Sequence, residues 1–245
     1  MEEIFYNANE DNSHLNNFNK REHKGKLVTL ESCDSVGKST QVKLIIEYLN
    51  SIGKTHINIH FPMYGQCEFS NVITMFLRGE FGDIDEVDPL FVANIYAMDR
   101  YKYKTQLLKH LDNYDYVILD RYVHSNTAFQ GAKYEEDEKK QSIIKWILDF
   151  EFKFLQLPYP DLIMFFDLPI DIIKERLENN RVGQDRDYLD GKEDIHEKSL
   201  ELQSKVRKIY LGLTELKNYK IINCLDNKGN VLTPTELFET YKKII

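Results

Sequence analysis

A short segment between a predicted strand and a predicted helix has the residues and spacing needed to bind phosphate. It runs from Glu31 to Thr40 as ESCDSVGKST, after the largely apolar stretch 26–30. In such a loop, backbone N–H groups and the positive end of the following helix surround a β-phosphate. Lys38 would reach the β- and γ-phosphates, and the Ser39 hydroxyl would ligate Mg²⁺. The segment therefore predicts a site for a nucleoside triphosphate.

One position departs from the usual phosphate loop, because Ser32 stands where the motif has glycine. Serine tolerates a positive φ poorly, so the loop is either locally adjusted or unable to bind phosphate. The residues predicted to surround the triphosphate are Ser32, Cys33, Asp34, Ser35, Val36, Gly37, Lys38, Ser39 and Thr40.

Short apolar strands alternate with helical patterns along the chain after residue 25. The predicted strands are 26–30, 55–61, 116–119, 162–168 and 219–224. The predicted helices are one ending at Gly53, then 71–77, 90–111, 140–154, one from Ile170, 195–216 and one from Pro234. This alternation predicts a three-layer α/β/α fold with a doubly wound, parallel five-stranded sheet. Ligands would bind at the carboxyl ends of the strands.

Composition narrows the class further. The 245 residues carry a net charge of −8, which argues against a general nucleic-acid or membrane surface. Residues 1–24 are rich in Asn, Asp and Glu and are predicted to be a disordered tail before one domain, 25–245.

The three cysteines form no Cys-x-x-Cys pair, which favours a reducing compartment, the cytoplasm, over a disulfide framework or zinc site. Cys33, in the phosphate loop, is a candidate for modification by thiol reagents.

A phosphate loop alone leaves GTPases, motors and many kinases open. A GTPase needs an Asn-Lys-x-Asp motif, but Asn227-Lys228 is followed by Gly229-Asn230. Residues 26–245 instead resemble the thymidylate kinase family. The resemblance is carried by the phosphate loop, by Phe61-Pro62, by 96–101 (YAMDRY), by 120–131 (DRYVHSNTAFQG), by 166–169 (FDLP), and by the arginines of 180–186. The most specific of these is the run Asp120–Gly131.

The resemblance implies a P-loop nucleoside monophosphate kinase that transfers the γ-phosphoryl group of ATP to dTMP. A phosphate monoester is already a nucleophile at neutral pH, so no general base is required and catalysis rests on positioning and charge stabilisation. A lid at about 179–192 would close over ATP·Mg²⁺ and exclude water. The family usually forms homodimers, and we expect the same here.

The resemblance also implies roles on the phosphate side of the site. Arg121 would hold the acceptor phosphate bidentately, and Asp120 would help to position Mg²⁺. Asp34 would approach the metal and the 3′-hydroxyl of the deoxyribose. Ser35 occupies the position where many members carry a loop arginine, so Arg181 and Arg186 of the lid become the expected catalytic cations.

On the base side, Tyr96 would stack on thymine and Arg100 would donate to its O4, which rejects the amino group of cytosine. Ser125, Asn126 and Gln130 belong to the same binding run, and the two amides would pair with other polar edges. Two further aromatic residues complete the expected pocket: Phe61 as lining, and Phe129 near C2′.

Two alternatives remain open at this stage. A deoxynucleoside kinase would need a carboxylate base near the acceptor 5′-hydroxyl, commonly a Glu after the second strand, but Phe61-Pro62-Met63-Tyr64 contains none. A nucleotide-binding protein without catalysis is supported by Ser32 and Ser35. Retention of Lys38, Arg121 and the lid arginines argues against it.

Overall fold

The computed structural model describes residues 23–179 and 199–245. Its five strands are β1 (Lys26–Ser32), β2 (His56–His60), β3 (Tyr116–Asp120), β4 (Leu162–Asp167) and β5 (Tyr219–Asn223). They form one parallel sheet in the order β2-β3-β1-β4-β5. The predicted doubly wound five-stranded sheet is confirmed. Residues 1–22 of the predicted tail, and most of the predicted lid, lie outside the described residues.

Eight α-helices are described in these two ranges. They are α1 (Lys38–Ser51), α2 (Glu68–Leu77), α3 (Pro89–Asn113), α4 (Val123–Gly131), α5 (Asp137–Leu148), α6 (Ile170–Asn179), α7 (Leu200–Gly212) and α8 (Pro234–Tyr241). Local chemistry fixes several starts: Asp88 caps α3 and accepts from Leu90 and Phe91 N–H groups, and Thr233 with Glu236 forms a capping box on α8. No helix in the described part of the chain could span a membrane.

Burial explains which strands are central. Along β1, β3 and β4 almost every residue is buried, as expected for strands covered by helices on both faces. The edge strands β2 and β5 instead mix buried and exposed positions. In the β1–β3 pair, Leu30 lies opposite Asp120, and the Arg121 N–H donates to the Leu30 carbonyl over 3.0 Å. The residues that follow these two strands therefore lie side by side.

Three stretches differ from the sequence-based prediction. The run after Tyr122 forms α4, a helix that the pattern did not assign, and its residues are all buried. The predicted helix 140–154 is α5 followed by a π-helical segment, Asp149–Phe154. This π-helical segment carries Glu151, which is fully buried. The predicted helix 195–216 is described as α7 and a 3₁₀ turn, Leu213–Glu215, and its first residues lie outside the described ranges.

Candidate active site

The phosphate loop connects β1 to α1, as its motif predicts. Ser32 is the last residue of β1, lies opposite Phe166 of β4 and does not adopt a positive φ. The left-handed backbone falls on Ser35, with φ 57°, and on Gly37, with φ 100°. The positive φ considered for Ser32 does not occur, because that position belongs to the strand and requires no glycine. The left-handed turn itself is braced by Arg176 of α6, whose Nη1 donates to the Val36 carbonyl over 2.8 Å.

Lys38 begins α1 and forms an ion pair with Asp120 at the end of β3. Both side chains are buried, so neither charge is solvated by bulk water. Burial, followed by the nearby Arg121 charge, lowers the pKa of Lys38 well below its usual value. An arriving polyanion would favour the charged form of this amine, because a nearby opposite charge raises its pKa.

Arg121 follows Asp120 and adopts a left-handed φ of 68°. Its Nη2 pairs with Asp34, while Nη1 donates to the Ser32 carbonyl over 2.9 Å and to Ser125 Oγ over 3.3 Å. Burial alone would lower the pKa of Arg121, but the adjacent Asp34 carboxylate raises it. We call Lys38, Asp120, Arg121 and Asp34 the phosphate cluster. Within it, each of the two cations is paired with one carboxylate.

A second arginine, Arg100 of α3, is held differently. Its Nε and Nη2 donate to the two carboxylate oxygens of Glu151 over 2.5 and 2.6 Å. Asn126 Nδ2 donates to Glu151 Oε1 over 2.9 Å and to the Ala93 carbonyl over 3.0 Å. We call Arg100, Glu151 and Asn126 the buried arginine cluster. Burial works against the charge of Arg100, but Glu151 outweighs it and raises the pKa of the guanidinium.

Two amide oxygens on α4 are buried without a hydrogen-bond donor in the described part of the chain: Asn126 Oδ1 and Gln130 Oε1. An unsatisfied buried acceptor costs about 1–3 kcal/mol, so such atoms call for a partner. Both belong to residues that the resemblance assigned to the edges of a base. Both atoms are hydrogen-bond acceptors that no donor in the described residues satisfies.

The predicted aromatic residues occupy different environments. Phe61 is buried in the core against Tyr103 and Tyr122, with ring centroids 6.0 and 6.1 Å away. The Phe129 ring lies under the Arg121 guanidinium, 5.2 Å from its Cζ, so it links α4 to the phosphate cluster. Tyr96 is partly buried beside a smaller apolar cluster formed by α2, α3 and the segment between them.

Beneath Arg121 lies a polar group that the sequence analysis did not find. Ser125 Oγ donates to Glu31 Oε2 over 2.5 Å and lies 3.0 Å from the hydroxyl of Tyr210, on α7. Tyr210 also donates to Glu31 Oε2 over 3.2 Å. Burial raises the pKa of Glu31. The group fixes Ser125, and Ser125 in turn accepts from Arg121.

Other site residues were missed because no motif marks them. Gln203 contacts Asp34, and Glu151 contacts Arg100, across 169 and 51 residues of sequence. No local sequence signal marks either contact, since both residues stand among other polar residues. Arg181 and Arg186, the predicted lid cations, lie outside the described residues.

The cysteines are all free in the described chain. Cys33 is 2% exposed, and burial followed by the adjacent Asp34 charge raises the pKa of its thiol to about 12. The expectation that Cys33 reacts with thiol reagents is therefore wrong, because reaction requires an accessible thiolate.

The donor set fits a hard cation held mainly by phosphates. Within residues 23–179 and 199–245, no cluster of three or more His, Cys, Asp or Glu side chains forms a metal site. Ser39 is exposed at the start of α1, and Asp120 and Asp34 bring carboxylate oxygens to the same end of the sheet. Magnesium commonly uses one or two protein oxygens with substrate phosphates and water, so these residues suit it.

A parallel sheet with a phosphate loop after its central strand, and cations at the neighbouring strand end, defines a P-loop phosphotransferase. The family model described as "Thymidylate kinase" matches residues 30–233. A thymidylate kinase of Mycobacterium tuberculosis is 30% identical over 187 residues, covering 76% of this chain and 85% of the relative. A probable thymidylate kinase 1 of Saccharolobus solfataricus is 27% identical, covering 84% and 93%. This chain belongs to the thymidylate kinase family.

A solved structure supports the fold independently. The thymidylate kinase of Candida albicans superposes with a TM-score of 0.66 and covers 91% of each chain at 21% sequence identity. At that identity the likeness concerns the fold alone.

Proposed function

We propose that this chain transfers the γ-phosphoryl group of ATP to dTMP, producing dTDP and ADP for dTTP synthesis. The observation that carries the proposal is the adjacency of Lys38 and Arg121. They follow β1 and β3, which are hydrogen-bonded neighbours, so one cation serves the donor and the other serves the acceptor. Two phosphate-binding cations in one crevice are what phosphoryl transfer between nucleotides needs.

When the substrates bind, the two cations of the phosphate cluster exchange their carboxylate partners for phosphates. ATP phosphates replace Asp120 as the partner of Lys38, and the acceptor phosphate replaces Asp34 as the partner of Arg121. Arg121 suits this role because its planar guanidinium binds a phosphate bidentately. The acceptor phosphate is itself the nucleophile, so the cluster aligns two anions and needs no proton acceptor.

The buried arginine cluster would select the base. Thymine presents an N3–H donor, and the unsatisfied Asn126 Oδ1 and Gln130 Oε1 are acceptors for such a group. Arg100 would donate to O4, while Glu151 fixes the guanidinium plane. Cytosine has no N3–H and presents an amino group in place of O4, so it would leave these groups unpaired. Tyr96 would stack on the base, Phe61 would support the pocket from the core, and Phe129 would lie near C2′.

Mg²⁺ bound with ATP would be held by Ser39, and by Asp120 and Asp34 through water. When bound, it would neutralise charge on the β- and γ-phosphates. The lid arginines Arg181 and Arg186 would add positive charge to the transferring group. If Arg181 and Arg186 were both replaced, Arg121 and Lys38 would still align the two phosphates.

We further propose that the chain forms a homodimer in the cytoplasm and that residues 25–245 act as one domain. Helices α2 and α3, with the segment between them, expose several large apolar side chains: Met75, Phe81, Leu90, Phe91 and Tyr101. Such a group suits burial against another copy. Light scattering that gives a monomer mass at micromolar concentration would contradict this part of the proposal.

The activity is tested by ADP release with ATP·Mg²⁺ and a panel of acceptors: dTMP, dUMP, dCMP, dGMP, UMP, thymidine and none. The proposal expects turnover with dTMP and little with dCMP or thymidine. Preference for thymidine would identify a nucleoside kinase instead. ATP binding without acceptor-dependent ADP would identify a nucleotide-binding protein without catalysis.

A further inference from the structure

Helix α7 brings one amide side chain into the phosphate loop. Gln203 lies in the first turn of α7 and its side chain is fully buried. Its Oε1 accepts from the Asp34 N–H over 3.1 Å, and its Nε2 donates to Asp34 Oδ2 over 2.6 Å. One neutral side chain thus holds both the backbone and the carboxylate of a single loop residue.

The neighbouring residue is held by the same position. The Cys33 thiol donates to the backbone carbonyl of Gln203 over 3.6 Å. Gln203 therefore contacts two consecutive residues of the phosphate loop, through its side chain and through its main chain. Because α7 begins at Leu200, this contact lies shortly after the predicted lid in sequence.

The two oxygens of Asp34 have different partners. Oδ1 pairs with Arg121, and Oδ2 accepts from Gln203. If an acceptor phosphate recruits Arg121, the carboxylate loses one partner and keeps the other. An amide is suited to this task because it accepts and donates at once and adds no charge that would compete for Arg121.

We propose that Gln203 is a positioning residue that keeps Asp34 oriented while Arg121 exchanges the Asp34 carboxylate for the acceptor phosphate. This inference rests on the proposed function. Gln203 does not contact the reacting atoms, so its loss acts more on the alignment of the phosphate loop than on affinity for the acceptor, to which Asp34 adds one contact at the 3′-hydroxyl. The turnover number should therefore fall while the KM for dTMP changes little.

The test compares Gln203→Leu with the exposed control Gln106→Leu on α3, in the full-length chain. For Gln203→Leu we expect kcat to fall about 10- to 100-fold, as for other residues that orient a reacting group through a second side chain. The KM for dTMP, and the dTMP affinity measured by calorimetry without ATP, should stay within about threefold of the wild type. Gln106→Leu should match the wild type. A Gln203→Leu kcat within twofold of the wild type would overturn the proposal.

A second variant distinguishes positioning from general destabilisation. Gln203→Glu keeps an oxygen that can accept from the Asp34 N–H but replaces the amide that donates to Asp34 Oδ2. At neutral pH its kcat should fall about 10-fold or more, with a melting temperature close to that of the wild type. A Gln203→Glu kcat within twofold of the wild type would overturn the proposal. A wild type inactive with every acceptor would instead refute the proposed function.

Discussion

The two arginines of the site are held in opposite ways. The Arg121–Asp34 pair leaves 17% of each side chain exposed, whereas the Arg100–Glu151 pair leaves 2% and 0%. The Arg121–Asp34 half of the phosphate cluster is thus accessible to an arriving anion, which can take the place of the carboxylate. The Arg100–Glu151 pair is almost entirely shielded from solvent, so an arriving anion cannot displace Glu151. One arginine is arranged to change partners and the other to keep its partner.

Mutations in the two clusters should therefore have different effects on catalysis and on folding. Removing Arg121 from the phosphate cluster should affect catalysis more than folding. Removing a charge from the buried arginine cluster should affect folding, because the remaining charge stays uncompensated away from water. The following variants test that separation in order of decreasing expected effect.

Arg121→Ala is expected to reduce kcat/KM for dTMP by about 10³-fold, because it removes the charge that aligns the acceptor phosphate. The melting temperature should fall little, since Asp34 remains partly exposed and keeps Gln203 as a partner. Steady-state kinetics with thermal denaturation measures both effects. A variant with near-normal kcat/KM would show that another group binds the acceptor phosphate.

Glu151→Gln is expected to lower the free energy of unfolding by about 3 kcal/mol, because the Arg100 charge is left without a counter-charge. Replacing both partners, in Arg100→Met with Glu151→Met, should cost less than the single change since no buried charge remains. Urea denaturation of the three proteins gives the comparison. A double variant that loses as much free energy as Glu151→Gln, or more, would contradict this account of the cluster.

His124 lies beside the buried arginine cluster, and burial, followed by the Arg100 charge, lowers its pKa to about 3. The unfolded histidine, with a pKa of about 6.5, binds a proton that the folded one does not, so stability falls as pH decreases below about 6.5. Relative to His124→Gln, the wild type should lose about 2 kcal/mol more between pH 7 and pH 5. Equal losses in the two proteins would mean that His124 is accessible to protons in the folded state.

Tyr210→Phe removes the hydroxyl that bonds Glu31 and approaches Ser125. We expect a loss of about 1 kcal/mol in unfolding free energy, with kcat reduced only a few-fold, because Ser125 still donates to Glu31. Thermal denaturation and the ADP-release assay measure the two quantities. A loss of activity as large as that of Arg121→Ala would place Tyr210 in the catalytic machinery.

The sheet and the phosphate loop were predictable from sequence because their signals are local. Apolar strands, the Gly37-Lys38-Ser39 spacing and the Asp120-Arg121 strand end can each be read within a few residues. The partners of Arg100 and Asp34 could not be predicted, since Glu151 and Gln203 are far from these two residues in the sequence. The position where the motif has its first glycine was also a poor guide to conformation, because Ser32 there is extended and the left-handed φ falls on Ser35 and Gly37.

The π-helical segment Asp149–Phe154 makes the placement of Glu151 depend on the number of residues that precede it. Each residue of an α-helix turns the chain by about 100°, so deleting one residue from a widened turn would rotate everything after it by that angle. Conservative replacements along the segment preserve its length and would leave Glu151 facing Arg100. Insertions and deletions would move the carboxylate off that face. This stretch should therefore tolerate changes in residue type far better than changes in length.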